Sequence, residues 1–421
     1  MRPRGAHPVY WRTFEVETPT SWDIREFRQL AENFKGKLPN QVFPDPTPNS
    51  VPYLLVEGLE TGAHGYTDDD SVPIVNSQDT VVVADGSRSG WVMRGKEGAL
   101  GSTLLCYRPK DGVDPDFLFY LLQSFYGFTN TATIGGAVPH LDTRLLDRLW
   151  IAAPVEEAEQ TRIGSTMRSV DSAITAAEAK LTAARRLKTA LMQQLFTRGI
   201  PGLHTEFQQT KWFTAPASWK PRRLRDIAKV EAGFTMGRDL SRYETVEVDY
   251  LTVINVLDGR LDLSEIEKVQ VKVSELDELL LKPRDILMTE GGDRDKLGRG
   301  GIWCGEVSPC VYQNHIFRVR FHSNTYQPEL FHFLIQSWQA KNYFYAHAKQ
   351  TSNLCTINSR ELKAFSFFEP EADEQAEMIG LLNAAENQLR AVEAEIAVLE
   401  KLKRSLLQNL ITGRVRLRIE A

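Results

Sequence analysis

The sequence predicts a mixed α/β protein with an internal two-fold, built from two copies of a globular domain and two copies of a long helix. Residues 19–22 (Pro-Thr-Ser-Trp) recur as residues 216–219 (Pro-Ala-Ser-Trp), which is an offset of 197 in the numbering. Near the end of each half, residues 191–197 recur as residues 406–412, where the offset is 215. Between these repeats, short strand-like runs and dense aromatic blocks are separated by glycines and prolines, which favours mixed helix and strand. The period far exceeds the roughly 20 to 50 residues of a solenoid repeat, so it indicates a duplicated domain.

The composition sets limits on the class of protein. At 421 residues the chain is too long for one ordinary core, and 42% apolar residues are sufficient for two. The net charge is −5, which does not suggest a strongly basic nucleic-acid binder that works alone. Any DNA-binding surface is therefore expected to be a local basic patch, or to be shared with a partner.

The cysteines and the N-terminus indicate a cytoplasmic protein. The four cysteines form no Cys-x-x-Cys pair, which in a chain of this length predicts reduced thiols, without a disulfide framework or zinc site. The eight histidines show no metal-ligand spacing, so no metal site is expected. The sequence shows neither a signal peptide nor an apolar run long enough for a transmembrane helix.

The repeats divide the chain into seven segments. Glycine and proline end the first long helix, and a glycine ends the second. The predicted segments are an N-terminal arm (1–20), a first globular domain (21–155), a first long helix (156–199), a linker (200–217), a second globular domain (218–370), a second long helix (371–412) and a tail (413–421).

Each predicted long helix carries an apolar seam. Its residues step alternately by four and three, and this period of 3.5 is typical of a helix that packs along another helix. Every seam position in the second helix is offset by 215 from its counterpart, including one lysine, Lys188 and Lys403, which we expect to set the register. The predicted seam residues are Ile163, Val170, Ile174, Leu181, Leu191 and Leu195 in the first helix, and Leu382, Leu389, Ile396, Leu399, Leu406 and Leu410 in the second.

The offset between the two copies changes only inside the globular domains. It rises from 197 at the start of the domain to 206 at Asp285 and 213 at Pro328, and it stays at 215 along the helix. Loops tolerate insertions better than helices do. The sequence therefore predicts two domains with divergent loops on one equivalent helical frame.

Four repeated motifs carry a resemblance to a known family. They are the Pro-x-Ser-Trp that opens each domain, the aspartate at Asp79 and Asp285, the Glu-Gln pair that enters each helix, and the Leu-x-Gln-x-Leu-x-Thr string that closes it. In these motifs, from about residue 18 onward, the chain resembles the specificity subunit of a type I restriction–modification system. It departs from the family at Ser21 and Ser218, where glycine is frequent. Residues 351–357 also lack the Gly-Gly of residues 133–141.

The resemblance implies a division of labour. The globular domains would be target recognition domains, each reading one half of a bipartite double-stranded DNA site. The helices would form an antiparallel coiled coil that sets the gap and docks two adenine methyltransferase subunits, and translocase–nuclease subunits would join them. The complex would be an adenine-N6 DNA methyltransferase and an ATP-dependent endonuclease. This chain would be non-catalytic and bind no cofactor, because partner subunits use the methyl donor and ATP.

Two glycine-rich basic loops, residues 85–98 and 290–301, follow equivalent strands and are candidate DNA contacts. Glycines let a backbone approach phosphates, and arginine or lysine can neutralise phosphates or read guanine edges. A second polar group surrounds Lys341 and Gln350, although solvated turn residues and an ordinary loop surface remain the alternative for all of them. The candidate DNA-binding residues are Arg88, Arg94, Lys96, Arg294, Lys296, Arg299, Lys349 and Asn353.

Two other classes of function compete with this interpretation. The first is a protein-interaction scaffold, with two binding domains on a coiled-coil rod. The second is a self-contained enzyme, which the sequence disfavours because it lacks the Asn/Asp-Pro-Pro-Tyr string of an amino-methyltransferase and has no glycine-rich nucleotide loop. The Glu-Leu-Lys of residues 361–363 resembles half of a nuclease metal site. The first domain does not preserve it, so we predict no catalytic residue.

Overall fold

The structure is a computed structural model that describes most of the chain in two units. It describes residues 19–62, 65–125, 133–134, 140–141, 146–210, 213–293, 296–322, 325–350 and 355–417. The first unit comprises Met1–Ala179 with Ala394–Ala421, and the second comprises Lys180–Glu393. Both boundaries fall inside the two long helices, so each unit contains one globular domain and half of each helix.

Two of the helices are far longer than the others. The first has 42 residues and the second 40, which corresponds to about 60 Å each at ~1.5 Å per residue. Each begins and ends one residue inside its predicted bounds, and a glycine with positive φ follows the first one directly. The helices are α1 Val56–Thr61, α2 Pro115–Ser124, α3 Glu157–Arg198, α4 Leu224–Ile227, α5 Leu276–Leu279, α6 Pro328–Leu334, α7 Trp338–His347, α8 Ser359–Ala364 and α9 Ala372–Ile411.

The first globular domain is built on two four-stranded sheets. One sheet has the order β2-β9-β6-β7 with antiparallel neighbours, and the other has the order β4-β3-β8-β5, in which β3 and β8 are parallel. The first and last strands of the domain pair antiparallel. The strands are β1 Trp22–Glu26, β2 Ala31–Lys35, β3 Val51–Leu54, β4 Tyr66–Thr67, β5 Ile74–Val75, β6 Thr80–Val83, β7 Val92–Arg94, β8 Gly98–Leu100, β9 Leu104–Pro109, β10 Thr133–Ile134, β11 His140–Leu141 and β12 Trp150–Pro154.

The second globular domain repeats this topology with additional strands. Its main sheet, β16-β25-β21-β23, has the same connectivity, its parallel pair is β17 with β24, and β15 pairs with β28 as β1 does with β12. The strands are β13 Phe207–Gln209, β14 Thr214–Pro216, β15 Lys220–Arg223, β16 Ala228–Ala232, β17 Thr245–Leu251, β18 Val256–Leu257, β19 Arg260–Leu261, β20 Glu267–Lys272, β21 Ile286–Thr289, β22 Gly291–Gly292, β23 Gly300–Ile302, β24 Cys310–Tyr312, β25 Ile316–Phe321, β26 Lys349–Gln350, β27 Cys355–Thr356 and β28 Ser366–Glu369.

A buried ion pair explains the repeated aspartate of each domain. Asp79 is 2% exposed and accepts two hydrogen bonds from Arg108, at 2.9 and 2.7 Å. Asp285 is 1% exposed and accepts two from Arg320, at 2.7 and 2.6 Å. Each carboxylate also accepts a hydrogen bond from the backbone three residues before it, so it holds the turn that leads into the central strand.

The repeated Glu-Gln pair ties each long helix to its own domain. Gln160 accepts a hydrogen bond from the backbone nitrogen of Asp114 at 3.0 Å and donates one to the carbonyl of Pro154 at 3.1 Å. Gln375 makes the two equivalent bonds, both at 2.8 Å. Because these side chains are 1% exposed, they satisfy backbone groups that water does not reach.

The opening tryptophans bind the glutamate of the same pair. The indole nitrogen of Trp22 donates to Glu159 at 3.3 Å, and that of Trp219 donates to Glu374 at 2.8 Å. Both tryptophans and both glutamates are buried. Each Pro-x-Ser-Trp motif therefore fastens the start of a domain to the helix that leaves it.

In the first unit, the start of α3 and the end of α9 pack on the domain core. Ion pairs link Asp171 to Lys403 at 2.7 Å and Glu159 to Arg416 at 2.9 Å. Later residues of one segment thus face earlier residues of the other, which is antiparallel pairing. The shared core includes Trp22, Phe27, Phe117, Leu118, Ile163, Met167, Leu410 and Ile411.

In the second unit, the end of α3 and the start of α9 pair in the same way. Lys188 binds Glu386 at 2.7 Å, and Arg185 binds Glu393 at 3.0 Å. All twelve predicted seam residues are buried or half-buried in their units. The predicted mixed α/β fold with antiparallel paired helices is therefore confirmed. The shared core includes Leu195, Phe196, Trp219, Leu330, Phe331, Met378 and Leu382.

Candidate nucleic-acid interface

The first candidate loop follows β6 and holds Arg88 at the surface. The Arg88 guanidinium donates to both carboxylate oxygens of Glu60 at 3.1 Å and lies 4.9 Å from the centre of the Trp91 ring. Its side chain is 44% exposed, and Lys96 further along the loop is also exposed. Both cations are placed where a phosphate could approach them.

Arg94 lies elsewhere, at the junction of the first domain with α3. It forms an ion pair with Asp116 of α2, which also pairs with Arg168 of α3. The guanidinium stacks 4.1 Å from the centre of the Phe119 ring, and its Nη2 is shielded from solvent. The structure therefore separates Arg94 from the other two candidates of its loop, and its observed contacts are with the domain helix and the long helix.

The second candidate loop follows β21. Lys296 is exposed and binds Asp293 at 2.5 Å, while the half-buried Arg299 donates to the carbonyl of Val253 at 3.4 Å. The ammonium of Lys296, as its hydrogen-bond donor, lowers the pKa of Asp293. The pair is therefore charged at neutral pH and has no net charge. Arg294 lies outside the described residues.

A three-stranded sheet brings this loop beside the second polar group. Its order is β22-β27-β26, so Gly291 and Lys349 both face Thr356 from opposite sides. Lys349 and Gln350 are exposed on its edge strand. Sequence reasoning treated the loop and this group as separate, whereas the structure joins them into one surface. Asn353 lies outside the described residues.

The first domain has an equivalent of this arrangement. The backbone nitrogen of Leu141 donates to the carbonyl of Ala84 at 2.9 Å, and that of Ile357 donates to the carbonyl of Glu290 at 2.9 Å. In both domains, therefore, a late segment lies directly beside the start of the glycine-rich loop. The repeated pairing shows that the candidate surface of each domain is built from the same two parts.

Sequence reasoning missed two neighbours of the second surface. His315 binds Glu290 at 2.8 Å at the start of the loop. Ile254, 63% exposed, lies on a 3-10 turn beside the carbonyl that Arg299 binds. An isolated isoleucine or histidine gives no local signal, so neither could have been found without the tertiary contacts.

A comparison with family models matches residues 19–184 to the type I restriction modification DNA specificity domain. Over 417 residues the chain is 24% identical to the type I restriction enzyme MjaVIII specificity subunit of Methanocaldococcus jannaschii, covering 96% of this chain and 95% of that protein. A putative MjaX specificity subunit of the same organism is 24% identical over 215 residues, which is 49% of this chain and 48% of that protein. Over nearly its whole length, the chain is therefore similar to a type I restriction–modification specificity subunit.

Two solved structures share the fold at lower identity. The type I restriction–modification S subunit from M. genitalium is 15% identical, with a TM-score of 0.57 over 94% of this chain and 96% of that one. A chain from a study of complex assembly and conformational transition of the type I system is also 15% identical. It has a TM-score of 0.56 over 95% of this chain and all of that one. The likeness spans both domains and both long helices.

Among the described residues, no three His, Cys, Asp or Glu side chains are grouped so as to hold a metal ion. The four cysteines are free thiols, three of them buried. No helix within the described ranges is both long and apolar enough to cross a membrane.

Proposed function

We propose that this chain gives a type I restriction–modification complex its DNA sequence specificity by reading a bipartite site, one half with each domain. The observation that carries the proposal is the repetition of one domain topology on equivalent helix segments, with candidate loops that differ in sequence and contacts. Arg88 binds a glutamate of its own domain, whereas Lys296 binds an aspartate within its loop. Two related but non-identical surfaces suit a site with two different halves.

The charge distribution favours DNA binding that depends on a partner. The chain carries a net charge of −5, and Arg88, Arg94 and Lys296 each bind a carboxylate. Phosphate contacts supply a large share of the affinity for DNA, so candidate cations that already bind carboxylates are expected to give weak binding by the chain alone. We expect the isolated chain to bind duplexes poorly and to bind them tightly once methyltransferase subunits are added.

The helices offer equivalent apolar positions for two methyltransferase subunits. Leu187 and Leu402 are 57% and 42% exposed, are related by the same offset as the seam residues, and stand outside the seam. One lies in the second unit and the other in the first. Exposed leucines at equivalent positions fit the docking of two copies of one partner. The methyl donor and ATP would then be bound by partner subunits.

The decisive experiment maps adenine methylation in cells that express this chain with its methyltransferase. We expect one gapped motif with two specific parts. Replacing residues 21–155 with the corresponding domain of another specificity subunit should change one part and leave the other intact. A change in both parts, or in neither, would contradict the assignment of one half-site to each domain.

A protein-interaction scaffold is the second candidate, because exposed leucines on helices also suit protein partners. Binding of the assembled complex to random duplexes over a salt series separates the two. For a DNA-binding complex, the logarithm of the binding constant falls linearly with the logarithm of the salt concentration, because phosphate contacts release counterions. Retained partner binding without salt-dependent DNA binding would favour the scaffold.

A further inference from the structure

In the first unit, a polar junction joins both long helices to the domain. Lys403 of α9 binds one oxygen of Asp171 of α3 at 2.7 Å. The hydroxyl of Tyr120, on α2 of the domain, donates to the other oxygen of the same carboxylate at 2.7 Å. Tyr120 is 0% exposed, so its hydroxyl has little access to water as an alternative partner. One carboxylate therefore ties three elements together.

The second unit contains a corresponding junction with a different domain partner. Lys188 of α3 binds Glu386 of α9 at 2.7 Å and donates to the side-chain oxygen of Gln336 at 2.9 Å. Gln336 follows α6 of the domain, and its amide nitrogen donates back to the carbonyl of His332 at 2.9 Å. Here the ammonium, and not the carboxylate, ties the three elements together.

The two junctions exchange the roles of the helices. Lys403 is the repeat counterpart of Lys188, and Glu386 is the repeat counterpart of Asp171, both at the constant offset of the helices. In each unit the lysine of one helix thus meets the acid of the other at equivalent positions. The domain-side group, in contrast, is a tyrosine in one unit and a glutamine in the other. Both domains have acquired a directional bond to the helix pair by different side chains.

We infer that Tyr120 and Gln336 are positioning residues that hold each recognition domain at one orientation on the helix pair and thereby fix the gap of the DNA site. This inference rests on the proposed function. Apolar packing between the domain and the helices is non-directional, whereas a hydrogen bond sets both distance and angle. Successive base pairs are about 3.4 Å apart, so a small rotation of a domain is enough to favour a neighbouring gap.

The first test uses Tyr120→Phe, with Tyr107→Phe as the matched control. Tyr107 is also buried in the first domain, but its hydroxyl has no hydrogen-bond partner among the described residues. Methylation is mapped in cells that express each variant with its methyltransferase. For Tyr120→Phe we expect methylation at gaps one base pair longer or shorter to rise about tenfold, with both half-site sequences unchanged. The control should keep the single wild-type gap.

The second test uses Gln336→Met, with Gln339→Met as its control. Gln339 is close by in the chain, and neither of its amide atoms has a partner within the part of the chain that is described. Gln336→Met should broaden the gap as Tyr120→Phe does, and Gln339→Met should not. Agreement between variants in two different domains would exclude an effect peculiar to one half-site.

The outcomes separate this inference from the proposed function. If the wild-type complex methylates no gapped two-part motif, the proposed function fails. If the wild type methylates a single-gap motif and both variants retain it, the positioning role is overturned while the proposed function stands. A fall in total methylation with an unchanged gap also overturns it, because a merely structural residue would act in that way.

Discussion

At the residue scale, the repeated aspartate is a structural group, and not part of the candidate interface. Asp285 is 1% exposed and bound by Arg320, whose side chain is 26% exposed. It also accepts the backbone hydrogen bond of Lys282 at 2.8 Å. Breaking such a pair leaves a guanidinium without its charge partner beside the core.

We therefore predict that Asp285→Asn lowers the free energy of unfolding by about 3 kcal/mol, the lower end of the range for broken buried pairs. Urea unfolding followed by fluorescence measures the change. Asp258→Asn is the matched control, because Asp258 is 56% exposed in its pair with Lys341, and its loss should change stability by less than about 1 kcal/mol. Equal effects of the two substitutions would show that burial does not determine how much such an ion pair contributes to stability.

His332 predicts a pH dependence of stability in the second unit. It is 7% exposed, and burial, together with the charge of Lys188, lowers its pKa from 6.5 to about 4. The unfolded chain therefore binds a proton between pH 6.5 and pH 4 that the folded chain does not. The stability that the folded chain gains from a neutral His332 is therefore fully present above about pH 6.5, and it is lost progressively as the pH falls toward 4.

We predict that lowering the pH from 7 to 5 destabilises His332→Phe less than it destabilises the wild-type chain. The full shift corresponds to on the order of 3 kcal/mol, of which roughly 2 kcal/mol falls in this interval. Urea midpoints of both proteins at the two pH values measure it. His347→Gln, at an exposed histidine, should keep the wild-type dependence. An unchanged dependence in His332→Phe would assign the loss to other groups.

At the element scale, the long helices are specified by a seam with one polar position. Lys188 is 15% exposed and Glu386 19%, so their ion pair is largely shielded from water. A shielded pair need not add stability relative to apolar residues, but removing one partner leaves the other unpaired. This fits our expectation that the seam lysines serve register.

We predict that Lys188→Met destabilises the chain by about 2 kcal/mol and that adding Glu386→Leu recovers most of this loss. A double-mutant cycle of unfolding free energies measures the coupling. Arg185→Met is the control, because Arg185 is 62% exposed in its pair with Glu393. Its substitution should lower the free energy of unfolding by about 0.5 kcal/mol or less. If the effects of the two substitutions simply add, Lys188 and Glu386 are not energetically coupled, which would contradict the prediction.

At the scale of the whole molecule, the duplication predicts two partner sites of equal kind. Leu187 and Leu402 occupy equivalent positions on α3 and α9. If each receives one methyltransferase subunit, the two sites should be removable one at a time. Burying a glutamate in an apolar contact is unfavourable, so the charge should block docking.

We predict that Leu187→Glu or Leu402→Glu alone reduces the bound methyltransferase from two copies to one, and that the double variant binds neither. Native mass spectrometry of mixtures with the methyltransferase counts the copies. Leu203→Glu, at a 55% exposed leucine outside the helices, is expected to leave two copies bound. Two bound copies in the double variant would move the docking surface elsewhere.

The sequence by itself determined the repeat, the two long helices and their seams, because periodic apolar residues and terminal glycines act locally along the chain. The spacing alone also indicated that Lys188 and Lys403 occupy equivalent positions in the two long helices. Tertiary structure decided which cations face solvent. Arg94 meets Asp116, and Lys349 comes to lie one strand away from Gly291, only through long-range packing and strand pairing. No local pattern encodes those contacts, since they depend on how sheets and helices close over segments far apart in sequence.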